Sequence, residues 1–236
     1  MNLKMNSVWI ATILSCNLAF SAIYTDSTGD IDPGLATGGG TLDILGMEVS
    51  NTLTDITFTL SLNGNVATVD WGKFLIGIAT GGSEATTTGN GWNRPINMNS
   101  PTGGMTHWIG SWVDVGGGSQ LWDYNGAAWG GPAALTGFII TGGTTSTITY
   151  TLSLSSLGLS VGNTFYFDAY STGGGGTDAA IDALANPNVS VTSWNQTYTS
   201  DSTAGIYSYT VVPEPTTIGL MGLGIFGIAR ALRRKK

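Results

Sequence analysis

An acidic stretch near the start of the chain has the residue types of a metal site. Residues 24–34 read YTDSTGDIDPG and place three carboxylates, Asp26, Asp30 and Asp32, within seven residues. Hard cations such as Ca²⁺ take about six to eight oxygen ligands from carboxylates and carbonyls, and glycine and proline here let the backbone bend around an ion. The spacing is not that of an EF-hand. We therefore expect either a structural calcium site or a solvated acidic turn.

A second group of residues has the inventory of a glycan-binding surface. Five tryptophans fall within 38 residues of the chain: Trp92, Trp108, Trp112, Trp122 and Trp129. Polar side chains lie among them: Asn93, Arg94, Asn97, Gln120, Asp123, Tyr124 and Asn125. Sugars stack their C–H faces on aromatic rings, while amides and carboxylates bind the hydroxyl groups. Trp108 and Trp112 share parity on a predicted strand and would project from one face about 13 Å apart. A buried aromatic core is the alternative.

Residues with catalytic chemistry are sparse. His107 is the single histidine, and its place beside Trp108 predicts a surface or packing residue, not part of a triad. The sequence contains no GxSxG or HExxH motif. Cys16 is the single cysteine, so no disulfide can form within the chain. We expect a noncatalytic protein. A secreted glycoside-active enzyme is the less favoured alternative, because two carboxylates distant in sequence can meet in space.

Alternating sequences predict the elements that position these residues. Residues 53–62, 146–154 and 164–170 alternate apolar and polar side chains, as half-buried antiparallel strands do. Residues 73–79 are almost all apolar and predict a strand covered on both faces. Shorter strands are predicted at 42–49, 106–113, 138–141, 189–194 and 206–212.

Turn and capping signals complete the predicted fold. Asn63 and Gly64 favour a type I′ turn, which would return residues 66–71 as a partner strand. A short helix is predicted at 178–187, where Asp178 would cap the start and Pro187 follows the end. Many short strands with glycine-rich turns and one short helix predict an all-β fold, a two-sheet antiparallel β-sandwich of jelly-roll-like type.

The predicted sandwich is strongly acidic. Between its first and last acidic residues, Asp26 and Asp201, it carries 14 acidic residues against only two bases, Lys73 and Arg94, for a net charge of −12. Such a surface repels nucleic acid and anionic lipid, so we expect no nucleic-acid partner. A cation or a neutral polymer such as extracellular polysaccharide is the natural partner.

The start of the chain predicts export. Residues 1–21 combine one positive charge, an apolar run and small residues near a cleavage point after Ser21, the pattern of a secretory signal peptide. A lipoprotein signal with Cys16 lipidated is the alternative interpretation. The β-sandwich domain is then predicted to cover residues 22–211.

The end of the chain predicts a membrane stop. Residues 216–229 are free of charge, although a helix needs about 20 apolar residues to cross a bilayer. Basic residues follow at once: Arg230, Arg233, Arg234, Lys235 and Lys236. These bases would stay on the cytoplasmic side and hold a transmembrane-like helix, leaving the acidic domain outside.

Residues 212–236 resemble the bacterial PEP-CTERM sorting signal. The resemblance is carried by Val212, Pro213, Glu214 and Pro215, followed by a Gly/Leu-rich apolar segment and terminal Arg and Lys. It implies recognition and processing by a membrane exosortase after export, in bacteria that make exopolysaccharide and biofilm. The motif implies a destination and leaves the role of the domain open.

The start of the predicted domain is loosely similar to another group. A DSTGDIDPG loop followed by TLDILGMEVSNTLTDITFTLSL resembles the opening of DOMON-like and carbohydrate-binding β-sandwich modules. That resemblance implies a jelly-roll-like sandwich, often with structural calcium and sometimes with a sugar or haem site. No residue pair suited to binding haem accompanies it, because His107 is the single histidine and the methionines are typical of packing.

These observations predict an exported protein that is tethered transiently at the membrane and then reaches the cell surface or extracellular matrix. A noncatalytic structural or adhesive role associated with exopolysaccharide is the leading hypothesis. A carbohydrate-binding module that uses a Trp-rich face is the alternative.

Overall fold

Fourteen β-strands make up the fold in the computed structural model, which describes residues 20–36, 40–68, 71–114 and 116–213. Their bounds are β1 Phe20–Thr25, β2 Ile44–Asn51, β3 Asp55–Asn63, β4 Lys73–Ala79, β5 Ile96–Met98, β6 His107–Trp112, β7 Gly118–Tyr124, β8 Trp129–Ala133, β9 Gly137–Thr141, β10 Thr145–Ser153, β11 Thr164–Thr172, β12 Asp182–Ala183, β13 Tyr198–Ser200 and β14 Tyr207–Thr210. A short 3₁₀-helix spans Leu154–Leu157. The predicted all-β class with almost no helix is confirmed.

The first sheet has the strand order β1-β2-β3-β10-β9 and is antiparallel throughout. Every second residue of β3 and β10 is buried, as period-two alternation predicts. Threonines occupy the opposite face, and the hydroxyls of Thr57 and Thr151 lie 3.3 Å apart across the strand pair. This sheet therefore has one apolar face in the core and one hydroxyl-rich face outside.

The second sheet has the order β12-β11-β4-β6-β7-β8, and β14 also pairs with β11. Its inner face packs on the first sheet: Phe58 of β3 lies 6.1 Å from Phe165 and 5.9 Å from Phe167, measured between ring centroids. The hydroxyls of Ser111 on β6 and Tyr150 on β10 meet at 2.8 Å. These contacts give the two sheets a sandwich-like arrangement with a shared core.

A third layer covers part of the outer face of the second sheet. It contains β5 and β13, which form a small parallel pair. Met98 and Met105 lie so close to Gly77 of β4 that a Cβ added there would meet their side chains at 2.9 Å. Because this layer lies on β4, the strand is buried on both faces, which confirms the prediction made from its continuous apolar sequence.

Three local predictions are wrong. In the predicted return strand at 66–71, residues 66–68 form a turn and residues 69–70 lie outside the described part of the chain. The partners of β3 are β2 and β10, and the next strand, β4, belongs to the second sheet. Residues 178–187 form no helix; β12 lies among them and pairs with β11. No strand forms at 189–194.

The failed helix has a clear physical cause. Asp182 and its apolar neighbours are all buried, namely Ala179, Ala180, Ile181, Ala183 and Leu184. A segment buried on every side lacks the exposed polar face that an amphipathic surface helix has. The backbone N–H groups of Ile181 and Leu184 instead donate to carbonyls of β11.

Both predicted targeting segments lie largely outside the described residues. The structure does not describe residues 1–19 of the predicted signal peptide, nor residues 214–236 with the predicted apolar helix and basic cluster. Phe20 and Ser21, the last two residues of that predicted peptide, pair with Asn51 and Ser50 in the first sheet. Within the part of the chain that the structure describes, no helix has the length and apolar character to span a membrane.

Candidate functional sites

Three aspartates from distant parts of the sequence converge at one corner of the sandwich. Asp26, Asp30 and Asp182 each offer a carboxylate oxygen, and these oxygens all lie within 4.8 Å of one another. We call this group the acidic corner. Carboxylates at this separation repel one another unless a proton or a cation lies between them.

The end of β1 and the start of β2 position the first two aspartates. The amide of Asp26 donates to the carbonyl of Leu45 at 3.2 Å, which fixes the chain as it leaves β1. A turn follows in which Gly29 has φ +82, a conformation that glycine adopts without strain. The amide of Gly29 donates to Asp43 Oδ2 at 3.0 Å. The turn that carries Asp26 and Asp30 is therefore tied to the residue just before β2.

Asp182 joins this corner from the second sheet. It lies on the short strand β12, opposite Ser171 of β11, and is fully buried. Its Oδ2 accepts a hydrogen bond from the amide of Ile44 at 2.6 Å, and its Oδ1 accepts one from the amide of Ala183 at 2.8 Å. Asp182 therefore links the first strand residue of β2 to the second sheet.

Several carboxylate oxygens at this corner are buried without any hydrogen-bond donor. They are Asp26 Oδ2, both oxygens of Asp30, and Oδ1 of the neighbouring Asp43. Asp43 is itself only 5% exposed. A buried carboxylate oxygen without a partner costs free energy, so these groups need a compensating ligand or proton.

Burial and like charge raise the pKa values of the corner. Burial, followed by the charge of Asp182, raises the pKa of Asp26 to about 9. Burial, followed by the charge of Asp43, raises the pKa of Asp30 to about 6. Burial is also the main reason that the pKa of Asp182 is well above its ordinary value, and Asp30 and Asp43 add to it. The charged groups that act on these carboxyls are other aspartates, not bases.

The acidic corner differs from the predicted metal site in one member. Asp26 and Asp30 both belong to the corner, whereas Asp32 lies outside the group and its Oδ1 accepts a hydrogen bond from the amide of Gly34 at 2.8 Å. Asp182 takes its place. No local spacing could have identified Asp182, because the fold alone brings it to residues near the start of the chain.

A second candidate site is an aromatic surface on the outer face of the second sheet. The rings of Trp92 and Trp112 have centroids 6.4 Å apart at an interplanar angle of 36°. Gln120 connects them to Trp122, because its Oε1 accepts from the indole N–H of Trp92 at 2.9 Å and from that of Trp122 at 3.3 Å. All three tryptophans are partly exposed. We call Trp92, Trp112, Trp122 and Gln120 the aromatic surface.

Glycines in the strands make room for these rings. A Cβ added at Gly110 of β6 would collide with the ring of Trp92, and one added at Gly118 of β7 would collide with the ring of Trp112. The sequence carries a sign of this, since Gly110 alternates with Trp108 and Trp112 along one strand face. Sequence reasoning missed both glycines.

A polar cleft adjoins the aromatic surface. Its lining includes Asn93, Asn97, Asn195 and Thr197. Arg94 also lines it, and its Cζ lies 5.6 Å from the ring centroid of Trp92. Arg94 is held in place by bonds from Nη1 to the carbonyls of Gly175 at 2.7 Å and Asp178 at 3.2 Å. Amides and hydroxyls beside an aromatic ring are the groups that bind neutral sugars.

Two of the five predicted tryptophans do not belong to this surface. Trp108 shares the strand face of Trp112, but it is 0% exposed and stacks on Tyr170 with 6.0 Å between ring centroids. The prediction that Trp108 forms part of an exposed face is wrong, because the third layer covers this end of β6. Trp129 is partly exposed and packs on Tyr124, with 5.4 Å between their ring centroids.

His107 lies in a separate cleft with Glu84, Asp123 and Tyr124. Its Nδ1 lies 3.0 Å from the hydroxyl of Thr106. Burial lowers the pKa of His107 to about 4, although the charge of Asp123 opposes this shift. The imidazole is therefore neutral at pH 7.

The comparisons with known proteins identify the C-terminal motif. Residues 211–235 match the model of the PEP-CTERM protein-sorting motif. No match to the chain was found among curated proteins or among solved structures. The motif directs an exported protein to processing by exosortase and toward the cell surface. The chain therefore carries a PEP-CTERM sorting motif at its C-terminal end, in residues 211–235.

Proposed function

We propose that this exported protein is a noncatalytic structural or adhesive component of the extracellular matrix, and that it holds neutral exopolysaccharide on its aromatic surface. Its tail would tether it transiently at the membrane before exosortase processing. The observation that carries the proposal is the joint geometry of Trp92, Trp112 and Trp122, which are partly exposed and connected through Gln120.

The chemistry of the site favours a neutral glycan over a charged polymer. The tilted rings of Trp92 and Trp112 offer apolar faces for sugar C–H groups. The adjoining cleft supplies amides and hydroxyls from Asn93, Asn97 and Thr197, which bind sugar hydroxyls without a formal charge. A net charge of −7 for the whole chain disfavours polyanions by repulsion.

A polysaccharide-binding assay tests the proposal. Affinity electrophoresis would use exopolysaccharide from the producing cells and a panel of neutral glucans. We expect Trp112→Ala and Trp122→Ala each to weaken binding roughly two- to tenfold, because an aromatic stacking contact is worth about 0.5–1.5 kcal/mol and tenfold is about 1.4 kcal/mol. Trp129→Ala is the matched control, since it removes a partly exposed tryptophan outside the aromatic surface.

Two results would contradict the proposal. One is the absence of saturable binding to any tested polysaccharide by the folded protein. The other is equal binding by wild type, Trp112→Ala and Trp122→Ala, provided that near-UV circular dichroism shows the variants to be folded. Sugar release by the purified protein would instead favour the enzymatic alternative.

A further inference from the structure

We propose that the acidic corner binds a calcium ion, and that this ion cross-links the turn after β1, the start of β2 and strand β12. This inference goes beyond the proposed function and does not depend on polysaccharide binding. It assigns Asp26, Asp30 and Asp182 as ligands and Asp43 as a supporting acidic neighbour.

Carboxylate oxygens from three aspartates converge at the acidic corner. Asp26, Asp30 and Asp182 bring carboxylate oxygens to within 4.8 Å of one another, and a calcium ion with bonds of about 2.3–2.6 Å can bridge oxygens at that separation. The donor set contains no nitrogen or sulfur, which disfavours zinc and other transition metals. Calcium completes its shell with water or backbone carbonyls.

Several carboxylate oxygens at the corner are buried and receive no hydrogen bond, which is an observation separate from their proximity. Both oxygens of Asp30 and Oδ2 of Asp26 are buried and receive no hydrogen bond. Asp43 is 95% buried, since its exposure is 5%, and its Oδ1 also has no partner. Its other oxygen accepts hydrogen bonds from the amide of Gly29, in the same turn as Asp30, and from Nδ2 of Asn63 at 2.9 Å. Ordinary packing leaves few such oxygens unpaired, so several at one corner indicate a ligand that accepts lone pairs.

Among the described residues, neither lysine nor arginine neutralises the carboxylates of the acidic corner. Lys73 instead forms an ion pair with Asp114 at 2.7 Å. Arg94 donates hydrogen bonds to the backbone carbonyls of Gly175 and Asp178. A divalent cation from the medium can supply the missing positive charge. The extracellular setting suits a weak site, for which affinities of about 10⁻⁴–10⁻³ M are typical.

The ion would act as a cross-link. Asp26 and Asp30 follow β1 in the first sheet, and Asp182 lies in the second sheet, where it already bonds to the amide of Ile44 at the start of β2. Binding at all three carboxylates joins segments more than 150 residues apart in sequence. We expect it to fasten the N-terminal strand and close this end of the core.

Thermal unfolding of the full chain in mild detergent tests this inference directly. After removal of divalent ions with EDTA, addition of Ca²⁺ to about one hundred times Kd is expected to raise Tm by roughly 5–10 °C. Mg²⁺ should raise Tm less, because it demands a smaller octahedral shell. An unchanged Tm up to about 100 mM Ca²⁺, which is about one hundred times a Kd of 10⁻³ M, at fixed ionic strength would overturn the proposal.

Asp30→Asn is the decisive variant, because the carboxylate of Asp30 makes no hydrogen bond that folding would lose. In EDTA at pH 7.5 it should unfold at the same Tm as wild type or above it, since a repulsive charge is removed. In Ca²⁺ it should unfold below wild type. Asp32→Asn is the matched control: it keeps the oxygen that accepts from Gly34, so it should retain the full calcium response.

Terbium luminescence gives a readout that does not depend on stability. Tyr207 donates to the carbonyl of Thr25, the residue before Asp26, at 3.1 Å, so its ring can sensitise Tb³⁺ bound at the corner. We expect tyrosine-sensitised emission that Ca²⁺ displaces, with at least tenfold weaker Tb³⁺ binding in Asp30→Asn. Equal Tb³⁺ affinity in wild type and Asp30→Asn, or equal losses in Asp30→Asn and Asp32→Asn, would contradict the assigned ligands.

Discussion

The substitution Asp168→Asn should remove a pH-dependent loss of stability. Asp168 is fully buried on β11, where its Oδ1 accepts from the amides of Ala169 at 2.8 Å and Ala185 at 3.0 Å. Its Oδ2 accepts from the hydroxyl of Ser200. Asparagine can keep the Oδ1 acceptor and donate from nitrogen to Ser200, so it imitates the protonated acid.

The sign follows from the direction of the pKa shift. Burial raises the pKa of Asp168 from 3.8 to about 7, although its hydrogen bonds oppose the shift. Between these two values the folded protein keeps the proton and the unfolded chain has released it. Stability therefore falls as pH rises through this window, and the loss is complete above about pH 7.

The magnitude follows from the same two values. A tenfold change in the proton dissociation constant is worth about 1.4 kcal/mol, so a pKa raised from 3.8 to about 7 carries at most about 4 kcal/mol. Roughly 2–3 kcal/mol of this should be lost between pH 5 and pH 8. The asparagine variant has no proton to release at this position, so it should gain that amount relative to wild type as pH rises.

Urea unfolding at fixed ionic strength and calcium concentration measures this difference. Other groups titrate nearby, since Asp168 acts electrostatically on Asp26, Tyr170, Tyr198 and Tyr207. Comparing the two proteins at each pH removes most of what they share. Asp201→Asn is the control, because Oδ1 of Asp201 also accepts amide bonds but the residue is partly exposed. A constant stability difference between wild type and Asp168→Asn from pH 5 to pH 8 would refute the reasoning.

Three further predictions concern the tryptophans and the tail. Trp108→Ala should cost roughly 3–5 kcal/mol in urea unfolding, because Trp108 is 0% exposed; a cost below about 1 kcal/mol would contradict its burial. Gly110→Ala should displace Trp92 and weaken polysaccharide binding, whereas Gly176→Ala, with no atom within 4 Å of the added Cβ, should not; equal binding would argue against the ring position. Deletion of residues 213–215 should leave the protein in the membrane fraction, and normal release would count against exosortase processing.

Local patterns in the sequence were enough to predict the long strands. In β3 and β10 one face is buried and the other is not. Whether a residue is apolar or polar therefore predicts which face of the sheet its side chain occupies. In β4 the continuous apolar sequence predicts the burial on both faces that the structure shows. The class of fold and several strand positions follow from these elements alone.

The errors arose where local signals compete with long-range contacts. Asn63 and Gly64 have the residue types of a hairpin turn, but the amide of Val66 is held by the hydroxyl of Ser146, a contact that sequence spacing does not reveal. The alanine-rich segment around Asp182 resembles a capped helix, yet tertiary burial on all sides outweighs that weak preference. Asp182 could not be predicted as a site residue for the same reason.

The scarcity of bases connects the acidic corner with the hydrogen-bond network of Asp168. A domain with 14 acidic and two basic residues cannot pair most of its carboxylates internally, and one of its two bases is bound mainly to backbone carbonyls. The carboxylates of the half-buried Asp30 and the fully buried Asp168 must then be balanced by protons or by cations from outside. The acidic corner and the Asp168 network would thus make stability depend on the surrounding medium. That dependence suits an exported protein, because calcium bound at the acidic corner would stabilise it only after it has crossed the membrane.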